Sequence, residues 1–147
     1  MIEDFRDILA ALVAANAKFL VVGAHALAAH GVPRMTRDID ILVEPSPDNA
    51  RRVWRALASF GAPLDSLKIR EADLATVDRV IQFGLPPWRI DIMTSISGVS
   101  FAEAWNGRMN DDMLGVQVAF IGRDEFIRNK RASGRNKDLG DIDALEG

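Results

Sequence analysis

The amino-acid sequence predicts an α/β protein in which helices pack against a mixed β-sheet. Short runs rich in β-branched and other apolar residues predict strands at residues 19–22, 39–43, 80–83, 89–93 and 116–120. Apolar residues at helical spacing predict helices at residues 2–16, 24–30, 47–60, 123–131 and 137–145. A chain of 147 residues that is 48% hydrophobic is long enough for one core, so we expect a single domain spanning residues 1–147.

Turn and capping residues set the predicted boundaries of the early elements. Gly23 joins the first strand directly to an alanine-rich helix, which Gly31 ends. Ser46 and Pro47 are typical of a helix start, because serine caps the helix and proline fits its first turn. Gly61 closes this helix. Residues 19–60 are therefore expected to run strand, turn, helix, strand, helix.

The middle of the chain has a less regular pattern of apolar residues. Residues 62–79 have a mixed pattern that predicts no regular element except a short helical turn at 71–76. The prolines within residues 84–87 cannot donate hydrogen bonds to a neighbouring strand, so this segment is predicted to be a loop between two strands.

Composition narrows the classes of function. The formal charge of -3 argues against a protein that coats nucleic acid by bulk electrostatics, although a local basic patch is compatible with it. The chain contains no cysteine, which excludes disulfides and thiolate metal sites. The acidic start at Glu3 and Asp4 is unlike a signal peptide, and the longest uncharged run, 19–33, is shorter than the roughly 20 residues of a membrane span. We expect a cytoplasmic protein with no membrane association.

Three aspartates are the candidate catalytic and metal-binding residues. Asp38 and Asp40 lie two apart on a predicted strand and therefore project from one face, and Asp91 lies on another strand between two isoleucines. Crowded carboxylates repel each other unless cations compensate, and oxygen ligands of this kind suit Mg²⁺ or Mn²⁺. Taken alone, an Asp-x-Asp pair is more often solvated or caps a helix, so the surrounding pattern has to decide.

That pattern resembles the DNA polymerase β-like nucleotidyltransferase superfamily. A strand, the Val22-Gly23-Ala24 turn and a helix precede the loop 34–37 and the Asp38-Ile39-Asp40 pair, and a later strand carries Asp91. The resemblance implies a nucleotidyltransferase fold, a phosphate-binding turn at Gly23 and Ala24, and a metal site formed by the three aspartates.

A second match is near the carboxyl terminus. There the chain resembles small proteins related to the AbiEii abortive-infection toxins, whose Lys-x4-Arg-x-Lys-Asp-x-x-Asp pattern it reproduces with Lys130, Arg135, Lys137, Asp138 and Asp141. This branch implies transfer of a nucleoside monophosphate from an NTP to an RNA or protein hydroxyl, with a possible toxin or antitoxin partner. The alternative is a degenerate protein that binds nucleotide, RNA or a partner without turnover.

The basic carboxyl-terminal segment has a physical interpretation of its own. Residues 123–137 hold six basic and two acidic residues in a chain that is acidic as a whole. We interpret Lys130, Arg135 and Lys137 as NTP-binding residues that neutralise phosphates beyond reach of the metal, with Asp138 and Asp141 in support. The alternative is a solvated helix face on which Lys137 pairs with Asp141.

Residues around the turn and the aspartate pair leave further alternatives open. Arg34 and Thr36 either contact the nucleotide or fix the loop, and we favour Arg34 as a cleft residue. Ala24 stands where the family pattern has serine or glycine, so a hydroxyl contact to phosphate is missing. This departure weakens the prediction of activity more than that of fold. His25 and His30 are assigned no chemistry, and the tryptophans are interpreted as packing residues.

Overall fold

The structure, a computed structural model, describes residues 2–147 and contains a six-stranded mixed sheet. The helices are α1 (Ile2–Ala14), α2 (Gly23–Ala29), α3 (Pro47–Phe60), α4 (Phe101–Asn106), α5 (Arg123–Ser133) and α6 (Asn136–Glu146). The strands are β1 (Phe19–Val22), β2 (Asp38–Val43), β3 (Val80–Phe83), β4 (Arg89–Met93), β5 (Met109–Met113) and β6 (Val116–Phe120). A 3-10 turn, Glu71–Ala75, follows α3. The predicted α/β class with a mixed sheet is therefore confirmed.

The strand order is β3-β4-β2-β1-β6-β5. The four inner strands include two parallel pairs, β2 with β4 and β1 with β6, whereas the edge strands β3 and β5 pair antiparallel with their neighbours. In this register Gln82 lies opposite Asp91, Asp91 opposite Asp40, and Asp40 opposite Val22. One row of neighbouring side chains therefore crosses the sheet from β3 to β1.

The two faces of β4 have different environments. Ile90 and Ile92 are fully buried in the hydrophobic core, which also contains the apolar side of α1 and α3. Arg89, Asp91 and Met93 alternate with them and therefore project from the other face. The expected orientation of Asp91, away from the isoleucines, agrees with this alternation. Helices α2 and α5 leave room over this second face for a site.

The predicted strands at 19–22, 80–83, 89–93 and 116–120 and the predicted helix at 47–60 match the structure residue for residue, and the other predicted elements differ by one or two residues at their ends. The first helix was predicted two residues too long, because Asn16 adopts a left-handed φ of 57° that ends it. Helix α4 and strand β5 were not predicted. Among residues 2–147, no helix is both long and apolar enough to cross a bilayer.

Asn49 connects α3 to the start of β1 and the end of β2. Its side chain is almost completely buried, accepts a hydrogen bond from the Lys18 amide at 2.7 Å, and donates to the carbonyls of Lys18 and Glu44, both at 3.0 Å. One amide side chain thus satisfies three backbone groups where the chain enters and leaves the sheet.

We expect Asn49→Ala to destabilise the protein by about 1–3 kcal/mol, because it leaves buried backbone groups without partners. Urea unfolding followed by circular dichroism measures this. Asp48→Ala, at the neighbouring exposed position in the first turn of α3, is the control and should cost less. Equal losses in both variants would contradict the role given to the Asn49 amide.

Candidate active site

The predicted aspartates converge on one face of the sheet. The parallel pairing of β2 with β4 sets Asp40 directly opposite Asp91 and Asp38 opposite Arg89. Asp91 is only 5% exposed although it lies on the face away from the main core. Burial, a hydrogen bond with Asp91, and the negative charges of Asp91 and Asp38 raise the pKa of Asp40 to about 7. The three carboxylates therefore form one crowded acidic group.

Arg89 provides positive charge to this group. Its Nη2 donates to Asp38 Oδ2 and to Asp91 Oδ2, each at 3.2 Å, so one guanidinium bridges two carboxylates. Its Nε lies 3.0 Å from Asp91 Oδ1 but without hydrogen-bond geometry, so this buried oxygen has no hydrogen-bond partner. The attraction of Asp91, and secondly its hydrogen bond, raises the pKa of Arg89. Arg89 was not predicted as a site residue, although its position two residues before Asp91 puts both side chains on one face.

Two observations bear on whether this acidic group could hold a divalent metal, and they point in opposite directions. Three carboxylates on adjacent strands, one with a buried oxygen that lacks a hydrogen bond, have the chemistry of an Mg²⁺ site. However, within residues 2–147 no three Asp, Glu or His side chains are arranged so as to hold a metal ion. Arg89 donates hydrogen bonds to oxygens of both Asp38 and Asp91. The carboxylate oxygens are suitable ligands for a divalent metal, and the Arg89 guanidinium binds two of them.

Gly23 allows the chain to approach the carboxylates closely. It begins α2 with a φ of +68°, a backbone conformation that residues with side chains rarely adopt. A Cβ at this position would overlap Asp40 Oδ2. The predicted glycine turn is thus in contact with the Asp40 carboxylate, and any side chain at position 23 would displace it.

A cavity of about 310 Å³ opens beside Asp40. Its walls include Val22, Gly23, Asp40, Met93, Ile96, Ser97, Asn129, Lys130, Ser133 and Arg135. We call it the Asp40 cavity. The positive charge of Lys130 acts on Asp40 and lowers its pKa, against the larger effects that raise it. The cavity therefore has an acidic wall from the sheet and a basic wall from the carboxyl-terminal segment.

Buried aspartates hold the basic wall in place. Asp138 is completely buried, and its Oδ2 accepts from Arg135 Nε at 2.8 Å. Its Oδ1 accepts from Arg135 Nη2 at 3.2 Å and lies 3.4 Å from Lys130 Nζ. The hydrogen bond from Arg135 is the main reason that the pKa of Asp138 is lowered. Asp141, also buried, pairs with Arg34. Both predicted supporting residues thus bind the cations predicted to meet the nucleotide.

Other predicted NTP-binding residues lie outside the Asp40 cavity. Lys137 is exposed on α6, and its proposed pairing with Asp141 does not form because Asp141 pairs with Arg34. Thr36 Oγ1 accepts from the Asp38 amide at 3.1 Å and so fixes the loop before β2. Ala24 follows Gly23 but does not line the cavity. The cavity instead includes Ser97, Asn129 and Ser133, which sequence analysis missed because their backbone positions converge only in the fold.

The two histidines have structural surroundings. His30 Nε2 lies 2.8 Å from the carbonyl oxygen of Ile121 and so links the end of α2 to the end of β6. His25 packs edge-on against Phe5, and burial lowers its pKa, which favours the neutral ring. Neither residue lines the Asp40 cavity, which agrees with assigning them no chemistry.

The raised pKa of Asp40 predicts a dependence of stability on pH. A carboxyl whose pKa is 3.8 when unfolded and about 7 when folded favours the folded state in its protonated form. Its contribution is fully present below about pH 4 and is lost as the pH rises through about 7. We therefore expect the melting temperature, measured in EDTA, to fall between about pH 5 and pH 8 more in the wild type than in Asp40→Asn.

The asparagine variant keeps the shape of the side chain and cannot ionise, so the difference between the two profiles isolates this group from other titrations. An equal fall of the melting temperature with pH in the wild type and Asp40→Asn would show that ionisation of Asp40 does not destabilise the folded protein.

Comparison with solved structures shows the same fold elsewhere. A crystal structure of a Thermotoga maritima protein, provisionally described as a nucleotidyltransferase, superposes with a TM-score of 0.63 and 16% sequence identity. The match covers 99% of this chain and 88% of that one. No protein-family model and no curated protein matches the sequence. At this identity the likeness concerns the fold, and the chain has the α/β architecture of that protein.

Proposed function

We propose that this protein is a metal-dependent nucleotidyltransferase that moves a nucleoside monophosphate from an NTP to a hydroxyl acceptor. The main support is the Asp40 cavity, in which a carboxylate of the acidic group faces Lys130 and Arg135 across a space of about 310 Å³. An NTP needs both walls, because its α-phosphate reacts beside a metal while its outer phosphates need compensating positive charge.

In the proposed reaction the acceptor hydroxyl oxygen forms a bond to the α-phosphorus of the NTP. The bond from that phosphorus to the oxygen bridging to the β-phosphate breaks, pyrophosphate leaves, and the hydroxyl proton passes to solvent. Asp38, Asp40 and Asp91 would hold Mg²⁺ or Mn²⁺. When bound, the ion would polarise the phosphate oxygens and favour ionisation of the hydroxyl.

The other residues have distinct proposed roles. Lys130 and Arg135 would bind the β- and γ-phosphates, and Asp138 keeps both cations at the cavity wall. Gly23 has no side chain, and this leaves room for the Asp40 carboxylate at the wall of the cavity. Arg89 and the metal would compete for the oxygens of Asp38 and Asp91, so binding of the metal requires Arg89 to release at least one of them.

Finer features of the proposal rest on the resemblance to AbiEii-related proteins. These are an RNA or protein acceptor and a toxin or antitoxin partner. A second candidate function is non-catalytic binding of nucleotide, RNA or a partner. Ala24 in the glycine turn and the engagement of the carboxylates by Arg89 are the observations that favour it.

The central test is incubation of the protein with labelled NTPs, Mg²⁺ and either total RNA or a cell lysate. We expect a macromolecule to be labelled, and Asp38→Asn and Asp91→Asn to reduce the rate on the order of a hundredfold or more, because each removes a metal ligand. Asp143→Asn, an exposed carboxylate on α6, is the matched control and should retain the wild-type rate.

Equal labelling by the wild type and both site variants would mean that catalysis does not occur here. Binding of Mg-NTP without labelling of any acceptor would favour the non-catalytic alternative.

Lys130 and Lys137 provide a matched test of the basic wall. Lys130→Gln removes a charge that lines the Asp40 cavity, so we expect NTP affinity measured by calorimetry to fall about tenfold or more. Lys137→Gln removes the same charge from an exposed position outside the cavity and should change affinity by less than about twofold. The reverse order of effects would place the triphosphate elsewhere.

A further inference from the structure

A second cavity adjoins the acidic group on its other side. It also has a volume of about 310 Å³, and its walls are Gln82, Phe83, Gly84, Pro86, Pro87 and Trp88 together with Asp38 and Arg89. We call it the Trp88 trough. Asp38 lines the trough and Asp40 lines the Asp40 cavity, and these two residues lie about 6–7 Å apart along β2, the length of two strand residues.

We propose that the Trp88 trough binds the 3′-terminal nucleotide of a single-stranded nucleic acid, and that this nucleotide is the acceptor. This inference rests on the proposed function. In a phosphoryl transfer the attacking and leaving oxygens lie roughly in line on opposite sides of the phosphorus. If Lys130 and Arg135 bind the leaving pyrophosphate, the acceptor must approach from the far side of the carboxylates, and the trough is the cavity found there.

The walls of the trough have the chemistry of a site for a planar base. Trp88 and the two prolines give flat apolar surfaces, and aromatic rings stack on any base. Core residues pack against these rings. The ring centroid of Trp88 lies 5.7 Å from that of Phe5 in an edge-on contact, and the ring centroid of Phe83 lies 5.9 Å from that of Phe60. Core packing therefore holds these rings in place before any ligand binds.

The polar groups of the trough suit a nucleotide more than a peptide. Gln82 is exposed on β3, directly opposite Asp91, and its amide can both donate to and accept from a base edge. Arg89, whose side chain is half-exposed, lines the trough and places positive charge where a phosphodiester would pass. Because a cavity of about 310 Å³ is small for a binding pocket, it takes one terminal nucleotide and no duplex end.

The direct test measures binding without catalysis. A short single-stranded RNA carrying a 5′ fluorophore is titrated with protein in EDTA, without NTP, and its anisotropy is followed. We expect Trp88→Leu to weaken binding about tenfold, as loss of one stacked base implies, and Gln82→Ala to weaken it about threefold. Trp105→Leu and Gln117→Ala, which change the same residue types in a groove at the other end of the sheet, should leave binding within about twofold of wild type.

Two further comparisons identify which end and which sugar of the nucleic acid the trough binds. An RNA ending in a 3′-phosphate should bind more weakly than the 3′-hydroxyl form, since its extra charge would lie beside Asp38, whereas a 5′-phosphate should have no effect. A DNA of the same sequence distinguishes the two sugars. Comparable dependence on Trp88 and Gln82 for either RNA or DNA supports the proposal and names the acceptor type.

Several outcomes would overturn the proposal. Unchanged affinity in both trough variants would do so, as would labelling of a protein hydroxyl and no nucleic acid. If Trp88→Leu weakens binding of NTP and leaves the oligonucleotide unaffected, the trough holds the nucleoside of the NTP instead. These results are separable from failure of the proposed function, because oligonucleotide binding is measured without transfer. If the oligonucleotide binds in a way that depends on Trp88 and Gln82 but no acceptor is labelled, only the proposal of catalysis fails. If an acceptor is labelled equally by the wild type and the trough variants, only the proposal for the trough fails.

Discussion

The parallel pairing of β2 with β4 is the constraint on which the site depends. Its register puts Asp40 and Asp91 side by side at the spacing of neighbouring strands, about 4.8 Å, on a face where both lose much of their contact with water. Two ionised carboxylates in such a place repel each other strongly. The folded chain relieves this repulsion by favouring a proton on Asp40 and by placing Arg89 between Asp38 and Asp91.

Positive charge on the opposite side of the Asp40 cavity depends on a second group of buried ions. Asp138 is completely buried with two cations as partners, and Asp141 is buried against Arg34. Such pairs are poor evidence for stability, because desolvation offsets most of their attraction. Their clearer consequence is positional, since they hold Lys130 and Arg135 where each still lines the cavity. Charges of opposite sign therefore face each other across one small space.

The fold by itself does not decide the chemistry. The same architecture occurs in the Thermotoga maritima protein at 16% identity, and a shared fold can carry different functions. Two cavities beside the carboxylates, one with a basic wall and one with apolar walls and Arg89, support the proposal of transfer. Arg89 lines the apolar cavity and contacts Asp38 and Asp91, so it joins that cavity to the carboxylates.

The sequence by itself determined the features that depend on local periodicity and turn chemistry. Alternation placed Asp38 and Asp40 on one strand face and Asp91 opposite its flanking isoleucines, and capping residues marked α3. The edge strand β5 escaped prediction because its sequence, Met-Asn-Asp-Asp-Met, lacks an apolar alternation and forms a strand only by pairing with β6. Helix α4 is short, and the capping box of Ser100 and Glu103 is its main local signal.

Only the tertiary structure decided which charged residues meet. Lys130 and Lys137 look equivalent in the sequence, yet Lys130 on α5 lines the Asp40 cavity and Lys137 on α6 is exposed outside it. The pairing of Arg34 with Asp141 and the second cavity at Trp88 likewise join segments far apart in the chain. Periodicity fixes the direction of a side chain relative to its own element, whereas contacts between distant elements depend on how the whole core packs.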